Sequence, residues 1–235
     1  PREAGADRRR DEREGSRPAA GTRRRAHRQL PTQALRRRPA LAFAHLGLEM
    51  EDELFKLFWS TQNITQHHEF VSFIGRSILT RDQAGEEWLK ENKVSKEKLI
   101  KFWDWILENK DIADPKVFSG FGFWINSNKE VLDDNIVVKR LVQTLKRSDG
   151  DIDWDYGLLN RLPVFAEKNG SKTLEIISNF LLDSKGNLNQ NRRTPLFSID
   201  GEIKESLDVI YKNGDVATKQ KVNDLINLLI EKGSS

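Results

Sequence analysis

The spacing of apolar residues after Met50 is the feature that most constrains the fold of this chain. From there onward large apolar side chains recur every three or four positions, and no segment shows sustained alternation of apolar and polar residues. Such spacing places the side chains on one face of an α-helix, whereas a half-buried strand needs a period of two. The pattern therefore predicts an all-α domain over residues 50–235.

The predicted helices follow one another closely. They cover residues 51–59, 64–79, 82–92, 95–109, 115–125, 133–147, 154–168, 171–184, 200–212 and 216–232. Ser95, Asp114 and Asp153 each precede one of these segments, and their side chains can accept a hydrogen bond at a helix start. Because the connections are short, we expect successive helices to be antiparallel neighbours.

Two of the predicted helices carry further information. In the helix at 95–109 the apolar side chains cover an arc of about 220° at 100° per residue. A helix with so wide an apolar face must contact partners on two sides. Pro163 lies inside the helix at 154–168, where its missing amide hydrogen is expected to kink or split that helix.

A repeat is visible in the C-terminal part of the chain. Six apolar residues of the helices at 154–168 and 171–184 recur 45 positions later: Leu158 with Ile203, Leu162 with Leu207, Phe165 with Ile210, Ile177 with Val222, Phe180 with Leu225 and Leu181 with Ile226. A period of roughly 40–47 residues is typical of HEAT and armadillo arrays, in which helix pairs bury their apolar faces by stacking. The sequence therefore predicts antiparallel helix pairs stacked as a HEAT/armadillo-like superhelical array.

Residues 1–49 differ from the rest of the chain in composition. They contain 13 Arg, no Lys and six acidic residues, whereas residues 50–235 contain 26 basic and 30 acidic residues. Two interpretations stay open for this segment. It is a disordered or artefactual Arg/Ala-rich tail with too few apolar residues to fold, or its Arg runs bind the phosphates of nucleic acid. In both cases the folded domain begins near Met50.

The absence of cysteine limits the chemistry that this chain can perform. Without cysteine there is no disulfide and no thiolate metal ligand, and the composition fits a reducing cytoplasm. No apolar run approaches the roughly 20 residues that cross a bilayer. We therefore expect a cytoplasmic protein that makes no membrane contact.

The glycine pair Gly120-Phe-Gly122 invites comparison with nucleotide-binding loops. It lacks the third glycine and the preceding strand of a dinucleotide fingerprint, and no GxxxxGK[ST] phosphate loop occurs in the chain. We expect these glycines to let two helices approach closely. The sequence thus predicts no nucleotide cofactor in this chain.

Histidine and serine residues offer no recognisable catalytic or metal motif. His67 and His68 are adjacent, so on a helix they point about 100° apart, unlike the i, i+4 pair of a zinc helix. Ser72, Ser77 and Ser119 stand outside any nucleophile-elbow motif, and a triad would need one of these two histidines as its base. We therefore predict no catalytic residue and no metal site.

The acidic run Asp149, Asp151, Asp153 and Asp155 has two interpretations. Its alternation could ligate a hard cation, but the glycine and terminal glutamate of a calcium loop are missing. The alternative is a solvated linker with a helix cap. We favour the linker because it needs no ion.

The tryptophans divide into two groups by their positions on the predicted helices. Trp88 and Trp103 fall on apolar faces and are expected in the core. Trp105 and Trp124 lie at the edges of their apolar faces, where a large ring either completes the core or anchors a protein partner. These two residues are the candidates for partner binding.

Three stretches resemble a known protein family. They read "FWDWILE", "VFSGFGFWINSNKEVLDDNIVVKRLVQTLKRSDGDID" and "LLNRLPVFAEKNGSKTLEIISNFL". Their order is similar to that in the C-terminal helical region of large bacterial STAND-type NTPases, including those with a sirtuin-like domain that act in anti-phage defence. The resemblance covers roughly residues 95–185.

The resemblance implies a function that composition and spacing do not give. It implies that the chain is a sensor or scaffold region of a longer protein, whose ATP-binding and effector residues lie upstream. We therefore expect a non-catalytic module that binds a protein partner. The alternatives are a nucleic-acid-associated protein that uses residues 1–49, and an enzyme of unrecognised type that uses acidic residues brought together by the fold.

Overall fold

The protein is all-α throughout the part of the chain that its structure describes. A computed structural model describes residues 53–76, 95–125, 132–190 and 200–233, which contain helices and no β-strand. The prediction of an all-α protein is confirmed for these residues. The tail at 1–49 and the predicted helix at 82–92, with Ser77 and Trp88, lie outside the described residues.

The helices agree closely with the sequence prediction. They are α1 (Glu53–Ser60), α2 (Ile64–Ile74), α3 (Lys96–Glu108), α4 (Pro115–Ser119), a 3-10 helix (Gly120–Trp124), α5 (Asp134–Arg147), α6 (Asp155–Leu159), α7 (Leu162–Lys168), α8 (Gly170–Leu181), α9 (Asp200–Asn213) and α10 (Val216–Gly233). Pro163 splits the predicted helix at 154–168 into α6 and α7, as its missing amide hydrogen requires.

Two of the three predicted helix caps are confirmed. The Ser95 side chain accepts from the backbone amide of Lys98, and Asp114 accepts from that of Lys116. Asp153 is not a cap, because Trp154 stands at the start of α6 and no side-chain hydrogen bond caps that helix. The Asp153 side chain is buried instead, which makes the prediction of a solvated linker wrong at this position.

Aromatic side chains fill the interior around α3. Trp103 stacks on Phe121 with ring centroids 4.7 Å apart, and its Nε1 donates a hydrogen bond to Thr144 Oγ1 at 3.0 Å. On the other side of α3, Trp105 packs edge-on against Phe55 of α1 at 5.5 Å. The wide apolar face of α3 thus contacts two sets of partners, as the sequence predicts.

The 3-10 helix lies against two other segments of the backbone. A Cβ atom at Gly122 would overlap the carbonyl oxygen of Asp153, and one at Gly120 would stand 2.8 Å from Ser72 Oγ of α2. Only residues without a Cβ atom allow this approach. The glycine pair is therefore a packing feature, as expected, and it fixes residue 153 against the core.

The C-terminal helices pack in a regular pattern. Helix α8 contacts α5, α7, α9 and α10, and α7 packs against α9. Their core is aliphatic apart from Phe165 and Phe180. This region supports the 153–156 segment through α6, which packs against the 3-10 helix.

Candidate partner-binding surfaces

Trp124 lies inside the protein. Its side chain is fully buried, its ring packs at 5.0 Å from that of Phe121, and its Nε1 donates to the Val71 carbonyl oxygen at 3.0 Å. A ring in this position completes the core and offers no surface to a partner. Of the two alternatives for Trp124, the structure places it in the core.

Trp105 lies at the edge of the core and lines a cleft. Its ring packs edge-on against Trp59 of α1 at 5.2 Å and is half-buried. The cleft has a volume of about 970 Å³ and lies between α1, the start of α2 and the segment at 109–117. Trp105 is therefore the candidate from the sequence that remains beside an accessible space.

His67 and Trp59 form one wall of this cleft. The two rings stack with centroids 3.9 Å apart and planes at 5°, and His67 Nε2 donates to the Trp59 carbonyl oxygen at 2.8 Å. Burial lowers the pKa of the His67 imidazole below its usual value, and the carbonyl partner offsets this in part. The wall is thus a neutral, stacked pair held in one orientation.

Arg147 of α5 fixes the opposite wall. Its guanidinium donates to the carbonyl oxygens of Leu107, Asn109 and Ile112, and it lies over the Phe118 ring at 4.4 Å. These carbonyls belong to the last turn of α3 and the loop after it, where a helix has no further amides to offer them. The cation therefore holds the 109–112 loop in place.

A second cluster, which the sequence did not predict, surrounds the buried carboxylate of Asp153. Its Oδ2 accepts from His68 Nε2 at 2.7 Å and lies 3.4 Å from Ser72 Oγ, and Ser119 Oγ is 3.5 Å from Oδ1. Both serines and the aspartate are less than 4% exposed. The cluster joins α2, the end of α4 and residue 153.

The cluster contains the side chains of a Ser-His-Asp triad without its geometry. A triad needs one imidazole nitrogen on the serine and the other on the aspartate. Here the same atom, His68 Nε2, faces both Asp153 at 2.7 Å and Ser72 at 3.4 Å. The arrangement holds a buried carboxylate and cannot relay a proton from the serine.

In the segment at 153–156 the charged side chains are buried and the aromatic ones are exposed, the reverse of the usual distribution. Asp153 and Asp155 are 3% and 5% exposed, whereas Trp154 and Tyr156 between and after them are 41% and 58% exposed. Folding normally buries aromatic rings and leaves carboxylates in water. Here the carboxylates fix the backbone from inside, and the two rings are displayed on the surface.

The backbone at Trp154 is strained. Its φ of 55° and ψ of 49° lie in the left-handed region, which costs a residue with a Cβ atom about 1–2 kcal/mol. The Trp154 ring lies 5.9 Å from that of Phe123, which Arg76 covers at 4.9 Å. We call Trp154, Tyr156, Phe123 and Arg76 the aromatic display.

The structure offers no set of ligands for the hard cation that the acidic run at 149–155 could have bound. In the parts of the chain that the structure describes, no group of three or more His, Asp or Glu side chains could hold a metal ion. His67 and His68 point to different partners, the Trp59 carbonyl and the Asp153 carboxylate. Nor is any described helix both long and apolar enough to cross a membrane.

Comparison with known proteins assigns no family or fold. No family model matches the chain, and no curated protein or solved structure matches it at a significant level. The functional argument therefore rests on the cleft beside Trp105 and on the aromatic display.

Proposed function

We propose that this chain is a non-catalytic module that recognises a protein partner through the aromatic display. The observation that carries the proposal is the reversed partition at residues 153–156, where two carboxylates are buried and two aromatic rings are exposed. Trp, Tyr and Arg are the residues most enriched among energetic hot spots of protein interfaces. Strained backbone conformations such as that of Trp154 cluster at functional sites.

The internal repeat supports a HEAT/armadillo-like array as the scaffold of this module. All twelve residues of the six matched pairs are buried except Ile226, which is 38% exposed. Helix α7 packs on α9, and α8 packs on α10, so equivalent helices of the two copies are neighbours. This is the contact pattern that stacked helix pairs would make.

The second copy differs from the first along one edge. The first copy carries the buried residues Leu159, Ala166 and Leu174, and 45 positions later the second carries Lys204, Tyr211 and Lys219. Lys219 Nζ lies 5.7 Å from the centre of the Tyr211 ring. Polar residues along this edge give the second copy a face that water can solvate.

The family resemblance gives the proposal its biological setting. Its stretches "FWDWILE" and "VFSGFGFW" supply the aromatic interior around α3, and the third supplies α7 and α8. In this proposal the chain is the sensor end of a longer, cytoplasmic STAND-type NTPase in bacterial anti-phage defence, and the NTPase and effector residues lie upstream. A native reading frame that encodes no phosphate-binding loop upstream of Met50 would contradict this setting.

Partner capture with matched variants tests the recognition role. The immobilised full chain would be exposed to lysates of the source cell with and without phage, and retained proteins would be quantified. We expect the double variant Trp154→Gly, Tyr156→Ser to lose its specific partner at least tenfold. Tyr211→Ser, a change at a ring 44% exposed on α9, is the matched control. Equal retention by all three proteins would overturn the role of the aromatic display.

A further inference from the structure

We propose that the cleft between α1, α2 and residues 109–117 binds a lysine or arginine side chain of a polypeptide partner. This cleft lies at the N-terminal end of α2, whereas Arg76 and Phe123 of the aromatic display lie at its C-terminal end. The inference rests on the proposed recognition role in that its ligand is a polypeptide. It concerns a separate site, which can be altered without touching the aromatic display.

The apolar part of the cleft fits the stem of a long side chain. It is lined by the aromatic and aliphatic residues Trp59, Trp105, Ile64, Ile112 and Val117. Its volume of about 970 Å³ lies at the upper end of the range of ligand pockets. Lysine and arginine bury their methylene stems against such surfaces and keep the charged head at a polar rim.

The charged groups of the cleft favour a cation. Two carboxylates, Asp111 and Asp114, and one ammonium group, Lys56, line it. Lys56 Nζ is paired with Glu53 at 3.0 Å, whereas among the described residues no cation pairs with Asp111. One oxygen of Asp114 accepts from the Lys116 amide, which leaves its second oxygen available. The cleft therefore holds negative charge beside aromatic rings, and both attract an ammonium or guanidinium group.

His67 adds an acceptor on the opposite wall. Its Nε2 bonds to a carbonyl oxygen, which can only accept, so Nε2 carries the proton of the neutral ring. The other nitrogen, Nδ1, is then an acceptor. Because stacking on Trp59 fixes the neutral ring, His67 itself adds no positive charge to this wall.

Both walls are held in place before any ligand arrives. Arg147 fixes the loop that carries Asp111, and the His67–Trp59 stack fixes the other wall. A site that needs no ordering loses less free energy on binding. The geometry thus suits a short exposed segment that inserts one side chain.

Binding of defined peptides to the full chain tests this inference. The probes would be acetylated, amidated nonapeptides with randomised flanks and a central Arg, Lys, Leu or Glu, with binding followed by tryptophan fluorescence and by the indole N–H resonances of Trp59 and Trp105. We expect the Arg and Lys pools to bind at least tenfold more tightly than the Leu and Glu pools. The preference should weaken as salt is raised.

Conservative variants separate the cleft from a general charge effect. Asp111→Asn with Asp114→Asn should remove most of the preference for a basic residue, roughly tenfold, because asparagine keeps the α4 cap and loses the charge. Asp208→Asn, at an exposed position on α9, is the matched control and should change nothing. Equal binding of all four pools, or a preference that survives the double variant, would overturn the inference.

Two further measurements keep the outcomes distinct. Trp154→Gly should leave peptide binding intact. If this variant loses protein capture and still binds the peptides, the change has altered the aromatic display and not the cleft. Free arginine that binds as tightly as the Arg pool would overturn a polypeptide ligand and assign the cleft to a small cation. Peptides that bind only through the aromatic display would also overturn the role of the cleft.

Discussion

The two ends of this molecule are built on different packing principles. Around α3 the core consists of aromatic rings with fixed angles, and polar atoms anchor its largest members, as Thr144 does for Trp103 and the Val71 carbonyl for Trp124. From α6 onward the core is mainly aliphatic, and the sequence there has six apolar matches at an offset of 45 residues. The cleft lies in the aromatic region, and the aromatic display lies where this region meets α6. The helices from α6 onward carry a polar edge instead, at Lys204, Tyr211 and Lys219.

Aliphatic and aromatic cores differ in how many packing arrangements they allow. Aliphatic side chains pack in many similar ways, so one helix pair can be copied and stacked with modest changes. Aromatic rings with hydrogen-bonded edges fit one arrangement only. Such an arrangement can hold a cleft wall or a strained turn in a fixed geometry.

The largest expected effect comes from removing the central ring of the aromatic region. Trp103→Ala should lower the free energy of unfolding by about 3–5 kcal/mol, because it leaves a cavity and removes the hydrogen bond that Thr144 Oγ1 accepts from the indole. Trp105→Ala, at a half-buried position of the same helix, should cost clearly less. Urea unfolding followed by circular dichroism measures both changes. Equal losses of stability in the two variants would show that Trp105 is as much a core residue as Trp103.

A pair of leucines at matching positions compares the two copies of the proposed repeat. Leu162→Ala and Leu207→Ala remove the same side chain at positions 45 residues apart, and each should cost about 2–4 kcal/mol. We expect the larger loss at Leu162, which is fully buried, than at Leu207, which is 6% exposed. The same unfolding assay applies. A negligible loss at either leucine would break the equivalence of the copies.

Removing the charge of Asp153 should destabilise the junction between α2 and residue 153. Asp153→Asn weakens the hydrogen bond from His68 and gives the buried Ser72 hydroxyl a poorer acceptor, at a cost of about 1.5–3 kcal/mol. His68→Gln in the Asp153→Asn background should cost less than His68→Gln alone. A double-mutant cycle in urea measures this coupling, and strict additivity of the two changes would contradict it.

Two substitutions at one position isolate the strain at Trp154. Both Trp154→Ala and Trp154→Gly remove the ring, but only glycine accepts the left-handed backbone without cost. We therefore expect the Gly variant to be more stable than the Ala variant by about 1 kcal/mol. Differential scanning calorimetry would detect this as a shift in Tm. An Ala variant as stable as the Gly variant would mean that the turn is unstrained.

The smallest expected effect is a pH dependence that arises in the cleft wall. Burial lowers the pKa of His67 in the folded protein below its ordinary value of 6.5. The unfolded chain then binds more protons just below pH 6.5, so His67 makes the protein less stable as the pH falls through this value. His67→Gln should flatten the stability profile between about pH 7.5 and 5.5. An unchanged profile would show that His67 is no more buried than in the unfolded chain.

Local and periodic features could be predicted from the sequence. Helices, the Ser95 and Asp114 caps and the break at Pro163 depend on residues within a few positions of each other. The positions of Asp153 and Trp154 depend on contacts with α2, which lies more than 80 residues earlier in the chain. A local pattern therefore suggested a solvated linker where tertiary contacts bury the carboxylate. His68 and Ser72, which lie four residues apart on one face of α2, are a sequence signal for this buried polar contact.

The residues that fix the backbone at position 153 are different from the residues that this segment exposes on the surface. Asp153 and Asp155 are buried and hold this segment in place. The exposed rings beside them can therefore differ between related proteins without repacking of the interior. In the proposed recognition role, contacts with a partner could therefore change one outward side chain at a time. Gly122, by contrast, accepts no larger residue, because a Cβ atom there would overlap the backbone of Asp153.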